Sequence, residues 1–342
     1  MIFNAQRERM KNPWVILITA ILSFGIAAIV ILRLLDFSAF KDSIAQAADE
    51  PAQVVIALGV FCIAFLFRAI AWKKVLPSIS LGQSLAGIHL SLGANHVLPL
   101  RLGEPFRIVS IIKRSETSLD AATASTLTLR AADILSVIVI GIIVAPSAFS
   151  DLLGWIGWLL IGIIAIVAIG SWRWLKKIVQ NNTDVKLPGP LALGLSASAW
   201  LLESVLVWQC AHWAGLDVSW SDALLVTTVA VAAQIAAIAP GGFGTYEAAA
   251  VAAYVVLGYD ADIALVASLT AHALKTSYSL IVGGIAMVTP KPSLVGRFRL
   301  QKTDELSPEV PASLNPVLLF LPAFNEEDAV ADCINRVPSQ VC

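Results

Sequence analysis

Charge is scarce along this chain: Asp, Glu, Lys and Arg together make up 14% of its 342 residues. A soluble domain carries about a quarter. Hydrophobic residues account for 58%, and the mean hydropathy is +0.80. No water-soluble fold of this length hides so much apolar surface. The deficit excludes a soluble enzyme or a nucleic-acid binder and leaves a polytopic membrane protein. Cysteine is nearly absent too. Cys62, Cys210, Cys333 and Cys342 have neither disulfide nor metal spacing, and the first two lie in apolar runs where a small buried hydrophobe is expected. His89 and His96 have no metal-site spacing with a carboxylate. No metal and no cofactor is expected, and the net charge of −1 says little because the charges are segregated.

What is present is long apolar runs. About 20 apolar residues cross the hydrocarbon core as a helix. Six runs qualify: 14–35, 52–72, 122–144, 152–172, 191–214 and 262–288. The first follows Arg7, Arg9 and Lys11. It is too long and too poor in cleavage signals for a signal peptide, so it reads as an uncleaved anchor. Two further stretches, 81–99 and 222–258, are interrupted. The expected fold is all-α, with six full spans plus two broken or re-entrant helix pairs.

Lys and Arg are missing from every second turn. They cluster at 7–11, 73–74, 101–114, 173–186 and 291–302, whereas 145–151, 215–222 and 258–262 hold none and 36–51 holds only Lys41. Positive loops stay inside, so both termini are expected in the cytoplasm. Residues 73–120 then start and end inside, and 215–262 start and end outside. Each enters and returns on its own side.

The interruptions are alike. One reads Asn95-His-Val-Leu-Pro99-Leu-Arg101-Leu-Gly103-Glu104-Pro-Phe-Arg107, the other Ala239-Pro240-Gly-Gly-Phe-Gly244-Thr-Tyr-Glu247. Each has Pro, Gly four residues on, then Glu. Pro and Gly break helices, and bare backbone cannot face lipid. Such breaks must line protein or a wet cavity, and one per half of a transporter points to the substrate site. The alternative is an ordinary helix pair with a tight turn. Arg101 and Arg107 flank Glu104 and suit bidentate phosphate binding, or they are topology charges.

Ionisable groups inside spans are costly and usually paired or functional. They are Arg68, Arg130, Asp133, Glu203, His272 and Lys275. Arg130 and Asp133 are three apart and share a helix face, either as a structural ion pair or as part of a substrate site. His272 and Lys275 have the same spacing. Arg68, four residues from Trp72, is expected to snorkel to the surface. Glu203 needs a cation or a proton, with Lys275 or Arg130 as partner. His212, near Trp208 and Trp213, reads as an interfacial aromatic belt.

Taken together, Asn95, Pro99-x-Arg101-x-Gly103-Glu104-x-x-Arg107, Arg130-x-x-Asp133 and Pro240-Gly-Gly-x-Gly244-x-x-Glu247 resemble the lysylphosphatidylglycerol synthase transmembrane (flippase-like) family over about residues 14–290. The resemblance implies a bacterial or archaeal inner-membrane protein; the best-understood members translocate an aminoacylated phospholipid to the outer leaflet, and many others have no assigned substrate. It also implies that Asn95, Arg101, Glu104, Arg107, Arg130, Asp133 and Glu247 are functional. Two positions depart from the family pattern. Leu129 stands where an acid is expected, and Lys275 where an arginine is expected, which keeps charge but loses the fork. With no aminoacyl-transferase domain, synthesis of lysylphosphatidylglycerol is not expected.

The chain divides into a transmembrane domain at 1–290, a polar cytoplasmic linker at 291–316 and a segment at 317–342. The last has a hydrophobic run, a turn with Pro322, Asn325, Glu326 and Glu327, and a helix-like stretch. It resembles the opening of a family-2 glycosyltransferase of the polyprenol-phosphate type, whose turn helps hold a nucleotide sugar. One strand and one helix bury no core, so 317–342 are expected to be a truncated fragment without transferase activity. Three functions remain open. The chain is a flippase-like handler of an anionic phospholipid or polyprenol-phosphate-linked sugar, a membrane-anchored glycosyltransferase presenting its lipid acceptor, or a lipid-binding scaffold.

Overall fold

Pro13 opens a 22-residue apolar helix, α1 (Pro13–Leu34), which ends where Asp36 caps the next one. The structure is a computed structural model and describes residues 13–99, 103–144, 173, 176–177, 179–180, 184–234 and 239–294. The Asp36 carboxylate accepts Ser38 Oγ at 2.6 Å and the Ser38 and Ala39 amides at 2.8 and 3.1 Å. These bonds hold it below the usual carboxylate range, the Ser38 hydroxyl most of all. The helix so capped, α2 (Phe37–Asp49), turns 92° away from α1.

Pro51 at the first turn starts α3 (Pro51–Val75), which ends in Lys73 and Lys74. Then come α4 (Leu81–Val97), α5 (Gly103–Arg114), α6 (Leu119–Val144), α7 (Pro190–Trp213), α8 (Trp220–Gln234), a single 3-10 turn (Pro240–Gly242), α9 (Thr245–Val256) and α10 (Ala261–Val288). Every described element is helical.

By length and hydropathy three helices qualify as spans: α3, the Leu119–Gly141 part of α6, and α7. A fourth is added if the bent pair α1–α2 counts as one. The expected count of six is therefore not reached on those criteria. Residues 152–172 lie outside the described set. The run expected at 262–288 is one 28-residue helix, α10, about 42 Å long, but its middle carries His272, Lys275 and several hydroxyls. It is long enough to cross and is polar because it faces the protein interior. Of the cysteines, Cys210 is buried as expected, whereas Cys62 is exposed.

The two interrupted stretches are short helix pairs. α4, α5 and α9 have 17, 12 and 12 residues, each below the ~20 that a span needs, and α8 is described over 15 residues, to Gln234. Each helix packs on its successor, and α4 also touches the 3-10 turn of the other pair. α4 begins with a capping box, Ser80 and Gln83 bonding each other's backbone amides. Its end is tied to α5 by Asn95, whose Oδ1 accepts the Gly103 amide at 2.8 Å.

Gly103 sits where a Cβ would overlap the Ser91 carbonyl and lie 2.6 Å from Asn95 Oδ1. Gly103→Ala is therefore expected to destabilise by about 2–3 kcal/mol, because α4 backbone must move to admit it. Gly194→Ala, in open space on α7, is expected to be neutral or mildly stabilising. Thermal melts of the two proteins in detergent check the contrast. At the other break, Gly241, Gly242 and Gly244 all have φ between +67° and +84°, a backbone that side-chain-bearing residues rarely adopt.

The core of the bundle is α3 against α7, with α4 and α10 closely crossed. Gly93 and Gly283 meet at that crossing, where a Cβ on Gly283 would lie 2.9 Å from the Gly93 Cα. Trp72 is fully buried and donates to Ser125 Oγ at 3.1 Å, tying α3 to α6. His212 packs on Trp208, with ring centroids 4.4 Å apart.

Candidate functional site

The helix breaks and the charged side chains meet around one cavity of about 100 Å³. A water needs on the order of 10–15 Å³ on this measure, so there is room for several waters or a phosphate group. Its wall takes residues from both broken segments: Ser91, Asn95, His96 and Arg107 from the first, Gln234 and Gly241 from the second. Arg68 of α3, Arg130 and Asp133 of α6, Trp200 and Glu203 of α7, and His272 and Lys275 of α10 complete it.

Arg107 is 2% exposed. Its guanidinium lies 3.9 Å from the centre of the Trp72 ring, a favourable cation–π stack. Nη1 is 3.8 Å from Glu104 Oε2. Nε and Nη2 are buried without a hydrogen-bond partner. Glu104 itself is spoken for by Arg130, which approaches Oε1 through Nε at 2.7 Å and through Nη2, and by Ser91 Oγ at 3.4 Å. Arg130 also reaches Asp133 Oδ2 at 3.5 Å, leaving Asp133 Oδ1 unpartnered.

A second ionic group lies across the cavity. Glu203 Oε2 is 3.0 Å from Arg68 Nη2, and Oε1 is 3.3 Å from Lys275 Nζ. Arg68 stacks on Trp200 at 4.4 Å and Phe65 at 5.1 Å, with Nη1 unpartnered. Arg68 is thus 6% exposed and turned inward, which overturns the expectation that it snorkels. α3 continues to Val75, so Arg68 is two turns from the helix end, and a buried carboxylate on α7 offers a nearer partner than the surface. Both cations of the Glu203 pair are now identified: Lys275 is one of the two candidates, Arg130 is not the other.

A third pair lies behind the second break. Glu247 Oε1 is 2.5 Å from His272 Nδ1, and Oε2 accepts the Gly244 amide at 2.7 Å. Of the residues singled out in sequence, Asn95, Arg107, Arg130, Asp133, Glu203 and Lys275 line the cavity directly. Glu104 and Glu247 sit one side chain behind it, holding Arg130 and His272. Arg101 lies outside the described residues, as do Pro322, Asn325, Glu326 and Glu327.

Sequence reasoning missed Arg68, Trp200, Gln234 and the two histidines as wall residues. His272 was legible in part, being three residues before Lys275 and so on the same face of α10. The rest depend on which helices pack together. Among the described residues no cluster of three His, Cys, Asp or Glu has metal-binding geometry.

The fold and site define a multi-pass membrane protein with a buried, ion-paired cavity where two helix breaks meet. Residues 17–283 match the model of the lysylphosphatidylglycerol synthase TM region. The chain belongs to that family, whose membership marks it as a membrane protein involved in lipid handling. No curated protein and no solved structure matches it. The match does not reach residues 317–342, which also lie outside the described ones, and nothing found supports the expected likeness of that segment to a glycosyltransferase.

Proposed function

We propose that the cavity receives the phosphate-bearing headgroup of an anionic phospholipid or polyprenol-phosphate-linked sugar and passes it across the bilayer, with the acyl or prenyl chains left in lipid. One observation carries this reading: the two unfilled donors of buried Arg107. An unsatisfied buried donor costs about 1–3 kcal/mol, more when charged. A phosphate oxygen accepting from Nε and Nη2 removes that cost in the paired geometry that guanidinium and phosphate share. Glu104 and Arg130 hold the site's charge in balance while it is empty. The helix breaks leave backbone groups near the cavity that also need polar company. The membrane-anchored glycosyltransferase reading rests on the 317–342 turn alone and gains nothing from the cavity.

The test is a translocation assay with the full chain in vesicles containing fluorescent phosphatidylglycerol. A membrane-impermeant reductant is expected to bleach label from both leaflets when the protein is present, and from the outer leaflet alone in protein-free vesicles. Bleaching of one leaflet only in both would refute the reading.

We further infer that the protein lies in a bacterial or archaeal inner membrane with both termini cytoplasmic. The Lys186 amide donates to the Val75 carbonyl at 2.8 Å, so Lys186 of the 173–186 cluster sits at the end of α3 that carries Lys73 and Lys74, as alternating positive loops require. In a chain lacking its own cysteines, Ser147→Cys is expected to react with an impermeant maleimide on whole cells and Lys186→Cys is not. The reverse pattern contradicts the orientation.

A further inference from the structure

We propose that Glu247 and His272 form a proton-binding site, so that arrival of an anionic headgroup in the cavity brings one proton onto His272 Nε2. This rests on the reading of the cavity as a headgroup site. It adds an energy coupling that the reading lacks.

The pair is built to hold a single exchangeable proton. Glu247 is 1% exposed and His272 5%. Both carboxylate oxygens are engaged, one by Nδ1 and one by the Gly244 amide. Among the described residues, the imidazole is the one ion-pair partner Glu247 has. A carboxylate so deeply buried needs a compensating positive charge or a proton. Contact with the carboxylate fixes Nδ1 as the donor, which leaves Nε2 as the atom that gains and loses a proton. Nε2 is buried without a hydrogen-bond partner, and His272 lines the cavity.

The two states differ in what they present to an anion. With Nε2 protonated, the imidazolium cancels Glu247 and aims an N–H into the cavity. With Nε2 bare, the pair is net negative and turns a lone pair toward the headgroup. An anion nearby therefore favours the protonated state, and at close range in a low-dielectric site the preference is strong. Linkage is reciprocal: protonation tightens binding by the factor by which binding favours protonation. No bond to carbon forms or breaks; the proton comes from solvent and rests on nitrogen.

Charged and titratable groups face the pair from several elements. From α9, the Tyr246 ring lies tilted against the imidazole with centroids 4.8 Å apart, and from α4 the His96 ring lies at 6.1 Å. On α10, Lys275 is one turn away and held by Glu203. The arginines of α3, α5 and α6 face the same cavity with the carboxylates described above, and α8 contributes Gln234. His96 is the other imidazole near the headgroup, and its Nδ1 lies 2.9 Å from the Leu92 carbonyl.

The far side of the pair borders another cavity. Glu247 also lines a second cavity of about 700 Å³ between α1, α9 and α10, to which Asp262 contributes. The Glu247–His272 contact thus sits between two cavities, with His272 on the headgroup side and Glu247 on the other. That is the placement a proton site needs if it is to load from one space and discharge to the other.

The experiment measures the heat of dihexanoyl-phosphatidylglycerol binding to the full chain in detergent, in buffers of low and high ionisation enthalpy, across a pH series. Wild type is expected to take up about one proton per lipid over part of the pH series, its affinity there falling toward about tenfold per pH unit as pH rises. His272→Gln keeps an amide that can donate to Glu247 but cannot carry the proton; its uptake is expected to vanish. His212→Gln, on a histidine that packs against Trp208 away from the cavity, is expected to retain it. If His272→Gln does not fold, Glu247→Gln serves instead: without the carboxylate the imidazolium has no opposing charge in contact, and uptake at the pH where wild type shows it should fall. Lipid binding that Arg107→Ala abolishes but that carries no proton overturns the coupling alone, as does equal uptake by wild type and His272→Gln. No lipid binding at any pH overturns the cavity reading and the coupling together.

Discussion

The Arg107→Ala protein is expected to bind anionic lipid on the order of a hundredfold more weakly than wild type, a loss of about 3 kcal/mol, and still to fold. The two effects separate because of how Arg107 is held. Its contact to Glu104 is long, at 3.8 Å, and Glu104 keeps Arg130 when Arg107 is gone. The side chain's other support is the Trp72 ring, which is already fixed by Ser125. Removing the guanidinium therefore strands no charge. It does remove the two donors that face the cavity unfilled. Arg107→Lys keeps the charge and loses the fork, so an intermediate loss of about tenfold is expected, near the 1–2 kcal/mol of one charged hydrogen bond. Titration with short-chain phosphatidylglycerol reads the affinities, and a thermal melt checks the fold.

Glu203→Ala is expected to do the opposite: it should collapse stability. Glu203 is the shared partner of Arg68 and Lys275, both less than 10% exposed. Deleting it leaves two buried cations with no opposing charge in contact, a situation that costs about 3–5 kcal/mol for even one broken pair. The protein should express poorly or melt well below wild type. Arg68→Ala leaves Glu203 with Lys275 and should cost less, about half as much on the same scale. Sequence alone suggested that Arg68 snorkels to the surface; its inward position makes it a partial support of the site. A Glu203→Ala protein that melts like wild type would show that the triad is not structural.

The breaks were readable because Pro and Gly act locally: Pro99 and Gly103 end one helix and start the next wherever the segment lies, and Pro240 to Gly244 do the same. The Arg130–Asp133 contact was readable for a similar reason, since both lie on one face of α6. Arg68 was misjudged because its burial depends on α7, which packs against α3 from about 130 residues away in sequence and supplies Glu203. The Glu247–His272 contact is of that non-local kind too: the motif supplied the carboxylate, but nothing in the spacing tells which helix brings the imidazole. Span counting failed in a different way. α10 places His272 and Lys275 at the cavity, so this 28-residue helix is less apolar than a lipid-facing one and falls short on hydropathy.

Native mass spectrometry of the full chain, released from detergent in the presence of equal phosphatidylglycerol and phosphatidylcholine, probes the headgroup site itself. One phosphatidylglycerol adduct is expected to survive activation after phosphatidylcholine has been stripped, and to be lost in Arg107→Ala. Retention of both lipids alike by wild type, or of phosphatidylglycerol alike by wild type and Arg107→Ala, would contradict a headgroup site at Arg107.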